Sequence, residues 1–286
     1  MKKNMFCKCG SRKPKHVCCE PSPQIRVLSK PISGPSQHKE ILEKLQISSQ
    51  FGMRYRGLFD FYGDDLIAYK REKSASRARN EFLRILSEYF TDYLEDDCPA
   101  SWQACQSTFW EELLLVFLPL KIKISPKEKE IETFLNELMK FIQWLDYRID
   151  TSLHEIIHRY IEQHRSDLIN CEYLLNRLCI HSYPKAFQND PHQDIHIKNI
   201  IRSLDNYTES KPIIFEVKSI RNGIVVATEI AYNQDHLIDG LPYKDLSPGI
   251  LIYGQIGRNK GDMVWTWVFP ESVFPLVAKN FLHITQ

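Results

Sequence analysis

The sequence predicts a mainly α-helical body that ends in a small antiparallel β-barrel or sheet, of SH3-like or OB-like size. A short cysteine-rich head precedes it. Three observations carry this prediction. Through most of positions 38–210, apolar residues recur at three and four, the period of helices with one buried face. After Lys211-Pro212 the pattern changes to β-rich runs joined by Asn- and Gly-containing turns, the signature of hairpins. Before position 20, four cysteines crowd into thirteen residues. The chain accordingly divides into a head (1–20), a linker (21–37), a helical domain (38–210) and a β domain (211–286).

The head reads Cys7-Lys8-Cys9-Gly10-Ser11, six further residues up to Val17, then Cys18-Cys19, a C-x-C-x8-C-C pattern. Two close thiol pairs on either side of a turn can converge on one tetrahedral Zn2+, with metal–sulfur distances of ~2.3 Å. Gly10 supplies the positive φ that a turn directly after Cys9 requires, and Ser11 can hydrogen-bond within it. Lys8, Arg12, Lys13 and Lys15 surround the thiols and favour their ionised form. The expected ligands are Cys7, Cys9, Cys18 and Cys19 around one structural Zn2+, with His16 placed to substitute for one of the last two. Disulfides are the competing expectation. Against them, Lys2, Lys3 and Asn4 lead into the motif with no apolar signal-peptide core. Cys98, Cys105, Cys171 and Cys179 also stand singly in apolar helical stretches, as buried free thiols do. Such usage suits a reducing cytoplasm.

Cys7-x-Cys9-Gly10-Ser11 followed by Lys15-x-x-Cys18-Cys19 closely resembles the SEC-C zinc motif. That motif is best known from the C-terminal tail of the bacterial preprotein translocase ATPase, and recurs at the ends of otherwise unrelated bacterial proteins. The match spans about 15 of the 286 residues. Both pair spacings and the Gly-Ser agree. Arg12 stands where a second glycine is common, a departure that touches turn geometry and not ligation. The resemblance implies a zinc-binding tag that docks on a partner such as an export chaperone or the ribosome. It does not imply a translocase, since no phosphate-binding G-x-x-x-x-G-K-[ST] occurs in the chain.

Pro21, Pro23, Pro31, Gly34 and Pro35 with several serines make 21–37 an extended linker. Ser74 and Ser76 open a helical segment to Asp97, with Phe82, Ile85, Leu86, Tyr89, Phe90 and Tyr93 on its apolar face. Pro99-Ala100-Ser101 starts the next, which Pro119 is expected to end. Ser125-Pro126-Lys127-Glu128 combines an N-cap, a proline at N1 and an acid in the first turn. Thr151 starts another helix, 167–179 forms a separate one, and 192–204 the last. In the β domain, 213–217 and 224–228 flank Asn222-Gly223, a tight hairpin. A second hairpin joins 249–256 to 263–268, and 277–284 closes back on the body.

Residues 154–158 read His-Glu-Ile-Ile-His. On a helix, His154 and His158 stand one turn apart and could share a zinc ion while Glu155 activates a bound water. His164 has the third-ligand spacing of metzincins, but Ile161 occupies the position where that family breaks its helix with glycine. Glu172 has the spacing of a gluzincin third ligand. The alternative is a helix whose histidines merely flank a buried stripe of Leu153, Ile156, Ile157, Tyr160, Ile161 and Leu168, with His164 facing inward. Trp265 and Trp267 share one strand face, either as barrel core or as a platform for stacking bases or peptide. Asp64-Asp65 and Glu95-Asp96-Asp97 read as solvated turn and helix-end charges.

No stretch reaches the roughly 18 apolar residues of a membrane span. Eight basic residues against Glu20 alone in positions 1–30, in a chain of net charge +1, put a basic head on an acidic body. The expectation is therefore a cytoplasmic bacterial interaction protein whose zinc tag docks on a protein or ribonucleoprotein partner. The alternatives are a zinc hydrolase built on His154, Glu155 and His158, and a nucleic-acid binder using the basic head and the β-domain aromatics.

Overall fold

The computed structural model describes residues 34–124, 128–182 and 202–282, with positions 184 and 198. The chain divides into two compact units, Met1–Glu43 and Lys44–Gln286. The cysteine head and most of the expected linker lie outside the described residues. Helix α1 (Pro35–Ser49) begins inside the segment expected to be linker, with proline at its first position, where a missing N–H costs nothing.

Helix α2 (Gly63–Glu72) is followed by α3 (Arg77–Glu88). Ser76 caps α3 as the sequence suggests, its hydroxyl accepting from the Arg79 N–H at 3.1 Å. The segment then passes into a π-helical turn (Tyr89–Tyr93) and a 3-10 turn (Glu95–Asp97). Pro99-Ala100-Ser101 introduces only a 3-10 turn (Trp102–Ala104), and α4 starts later (Ser107–Glu112). A second π turn (Leu113–Phe117) leads into α5 (Leu118–Lys121). Pro119 does not end this segment. It sits in the first turn of α5, where no backbone N–H is needed, and the helix stops after Lys121.

Helices α6 (Glu130–Ile149) and α7 (Leu153–Ser182) form the centre of the helical part. The start signal at 125–127 lies outside the described residues, and α6 begins beyond it, at Glu130. Residues 153–182 form one continuous helix, not the two expected. No Gly or Pro interrupts them, and at 30 residues α7 spans ~45 Å. The two helices cap each other. Asp146 of α6 accepts from the Leu153 and His154 N–H groups at 2.9 and 2.8 Å. Glu172 of α7 accepts from the Glu130 and Ile131 N–H groups at 2.8 and 3.1 Å. Each carboxylate satisfies donors that a helix start leaves orphaned, and its charge complements the dipole there. The helix expected at 192–204 falls almost wholly outside the described residues.

The C-terminal region is a mixed five-stranded sheet: β1 (Glu209–Arg221), β2 (Ile224–Glu229), β3 (Gln234–Asp239), β4 (Leu251–Arg258) and β5 (Val264–Phe274). Asn222 and Gly223 both take positive φ, 53° and 85°, and close the predicted tight hairpin. Pairing runs β1-β2-β3-β5-β4 and returns from β4 to β1, so the sheet closes on itself. The expected all-antiparallel pairing is not met, because β3 and β5 run parallel. A closed ring with an odd number of strands cannot alternate direction throughout, so one parallel pair is unavoidable.

Two hydrophobic clusters meet along α7. The first joins the helices through Phe82, Phe134, Phe141, Ile157 and Ile161, and takes in Leu251, Phe274 and Ala278 from the C-terminal region. The second surrounds the sheet interior, with Phe215, Val225 and Ile256, and takes in Leu174, Leu175 and Leu178 of α7. Ser272, fully buried, donates its hydroxyl to the Pro119 carbonyl at 3.0 Å. The expected closing segment does return to the body: its 3-10 turn (Leu276–Asn280) buries Ala278 completely.

Candidate functional site

Cys7, Cys9, Cys18, Cys19 and His16 lie outside the described residues. Their donor set, four thiols, is the kind a structural zinc site uses. The remaining cysteines are free, with Cys105, Cys171 and Cys179 buried and Cys98 half-buried. Burial pushes the Cys98 thiol up to about 11 and those of Cys105 and Cys179 up to about 12. Thiols held protonated in this way are poor metal ligands and weak nucleophiles. Among the described residues, no group of three or more His, Cys, Asp or Glu is arranged to hold a metal ion.

The His-Glu-Ile-Ile-His segment occupies the first two turns of α7. His154 and His158 do stand one turn apart, with ring centroids 6.1 Å from each other and planes 28° apart. His158 and Glu155 are exposed, and His154 is half-buried. Ile157 and Ile161 are fully buried, but Ile156 is 41% exposed and is no part of the buried stripe. Glu172 does not complete a gluzincin set. Its two oxygens are taken up by the α6 N-terminus, and it is itself buried. Burial pushes its carboxyl up, which the two N–H bonds only partly offset. Asp65 also departs from expectation. It is no solvated turn charge, but accepts from Trp102 Nε1 at 2.8 Å and Arg148 Nε at 2.7 Å.

Trp265 and Trp267 face the sheet interior and are almost completely buried. Around Trp265, one end of the closed sheet is polar. The Arg258 guanidinium lies 4.3 Å from the ring centroid and the Lys211 ammonium 5.5 Å from it. Glu229 accepts from Lys211 at 2.7 Å and pairs with His236 Nε2 at 2.8 Å, while Arg258 donates twice to Glu209. Burial alone would raise the Glu229 carboxyl. Lys211 and His236 outweigh it and hold the group below the usual carboxylate range. These ion pairs and the ring burial leave Trp265 no free face on which a base could stack.

An open cleft of about 730 Å3 between α7, β1 and the C-terminal turn has no counterpart in the sequence motifs. Glu216 lines it. Lys218 donates to Glu216 Oε1 at 2.6 Å and Lys279 to Glu216 Oε2 at 2.9 Å. These bonds, that of Lys218 first, hold the Glu216 carboxyl below its ordinary range. His164 and Asp167 line the α7 side. No local motif could reveal this group, because Glu216 and Lys279 are 63 positions apart.

A scan against family models finds no match to the chain, and searches of curated proteins and of solved structures find none either.

Proposed function

We propose that this chain is a zinc-tagged interaction protein of the bacterial cytoplasm. In this reading, Cys7, Cys9, Cys18 and Cys19 hold one structural Zn2+, and the basic head around them docks on an acidic protein or ribonucleoprotein surface. The observation that carries the proposal is the C-x-C-x8-C-C spacing with Gly10-Ser11 in its turn, which fits a four-thiolate site. The protein's own chemistry agrees with it. Of the four other cysteines, Cys105, Cys171 and Cys179 are buried and Cys98 half-buried, and burial holds their thiols protonated, while Glu172, the residue spaced to join a hydrolase site, is committed to capping α6. No helix among the described residues is long and apolar enough to cross a membrane.

The sequence predicts a β domain of barrel or sheet form, SH3-like or OB-like in size, and its closing order β1-β2-β3-β5-β4 supports an OB-like reading. Fold likeness alone does not assign function, and the burial of Trp265 and Trp267 argues against a stacking platform. Any nucleic-acid contact in this reading therefore belongs to the basic head. Metal analysis of the full chain should find about one zinc per protein, and Cys7→Ser with Cys9→Ser should lose it. Affinity capture with and without residues 1–30 should show partners that depend on the head. Freshly purified protein free of zinc would end the proposal.

A further inference from the structure

The cleft lined by Glu216, Lys218 and Lys279 has the volume and charged groups of a small-molecule site. We propose that it binds a small ligand carrying both a carboxylate and an amine, with an apolar group between or beside them. Its volume, about 730 Å3, lies within the roughly 300–1,000 Å3 of ligand pockets.

The carboxylate end is read by Lys218 and Lys279. Both ammoniums are fixed by opposite oxygens of one Glu216 carboxylate. An ammonium carries three donors, so each lysine keeps donors for a ligand. Glu216 is buried, and two cations around one anion leave a positive surplus for a ligand carboxylate. The strand geometry contributes too. The β1–β2 register shifts between Val217 and Ser219, so Lys218 is the extra residue of a bulge, a device that strands use to aim side chains at sites.

His164 is 8% exposed and lines the cleft. Its ring has no hydrogen-bond or ion-pair partner among the described residues. Its nitrogens are not among the sealed, unpartnered polar atoms, so they stay open to solvent and one of them is available to a ligand oxygen. Asp167 lies one turn further along the same face of α7 and is exposed to the cleft, where it can receive an amine. Leu276 and Val277 give the opposite wall an apolar surface. The two lysines and two carboxylates balance, so a zwitterion matches the site, whereas a phosphate with no amine would add net negative charge and leave Asp167 without a partner.

Free amino acids and short peptides both present this chemistry. The full chain is therefore titrated with L-leucine, with glycyl-leucine and with 4-methylpentanoate, which lacks the amine, and followed by NMR. Saturable shifts with L-leucine or glycyl-leucine are expected, and the tighter of the two names the source. Lys279→Gln should weaken that binding about tenfold, the loss of one charge-assisted hydrogen bond. His164→Gln, which does not disturb the ion pairs, serves as a second variant and should also weaken it. Asp167→Asn should abolish the preference over 4-methylpentanoate. Absence of saturable binding by both amine-bearing probes would overturn the proposal. So would unchanged affinity in both Lys279→Gln and His164→Gln, or equal affinity of the wild type for 4-methylpentanoate. None of these outcomes depends on whether the head binds zinc.

Discussion

Glu172 shows what a single buried carboxylate does here. It joins no metal-ligating group among the described residues but closes the first turn of α6 from 41 and 42 positions away. Replacing it with alanine leaves two N–H donors without their acceptor, at a cost of about 2–3 kcal/mol, readable as a lower urea midpoint with an unchanged slope. The zinc content of Glu172→Ala should match the wild type, and a drop would revive the hydrolase reading. Glu229 makes the opposite kind of statement about charge. Lys211 and His236 hold it below the ordinary range in spite of burial, so the folded protein binds this proton more weakly than the unfolded chain. Its stabilisation is therefore complete above the unfolded value of about 4.3, and is lost as pH falls through the depressed one. Glu229→Gln should flatten that acid limb, so melting temperatures of mutant and wild type converge as pH drops below about 4. Parallel curves across this range would show that the pair contributes no pH dependence.

Among the elements, what was legible in sequence depended on how local the cause was. Ser76 as a cap and Asn222-Gly223 as a turn act within three residues of themselves, and both stand where their chemistry predicts. The unity of α7 was obscured by the polar run between Ile161 and Leu168. Its continuity depends on two different cores, one for each half of the helix. β3 was missed because its buried positions, His236 and Ile238, are few, and its second neighbour is supplied by β5 from across the sheet. The pairing of β4 with β5 is the second predicted hairpin, local in sequence, but its close packing is not. At Gly254, next to a register shift, a Cβ would lie 2.2 Å from Trp267 Cη2 and 2.4 Å from the Phe269 carbonyl. Gly254→Ala must displace backbone as well as an indole. Overpacking of this kind costs about 1–3 kcal/mol, and the change should appear as a lower melting temperature with altered tryptophan fluorescence. Wild-type stability in this variant would mean that the strands separate there more easily than the close approach implies.

At the level of the whole molecule, the question is whether the metal is part of the fold. In a classical zinc finger it is, because binding free energy and folding free energy are one quantity. Here the four expected ligands fall within thirteen residues of the Met1–Glu43 unit. The two hydrophobic clusters, the reciprocal Asp146 and Glu172 caps and the closed strand ring are all drawn from the Lys44–Gln286 unit. A core of this size, with the starts of its two longest helices satisfied internally, has no structural need for a metal. Chelation, or Cys7→Ser with Cys9→Ser, should therefore abolish zinc and head-dependent capture while leaving the main melting transition in place. The scale of the test is favourable, since 1 kcal/mol moves the midpoint of a protein of this size by about 2–4 °C. A shift of several degrees on zinc removal would mean that the head folds as part of the body. An unshifted transition with lost capture would mean that the cysteine cluster determines what the protein attaches to and leaves its folding unaffected.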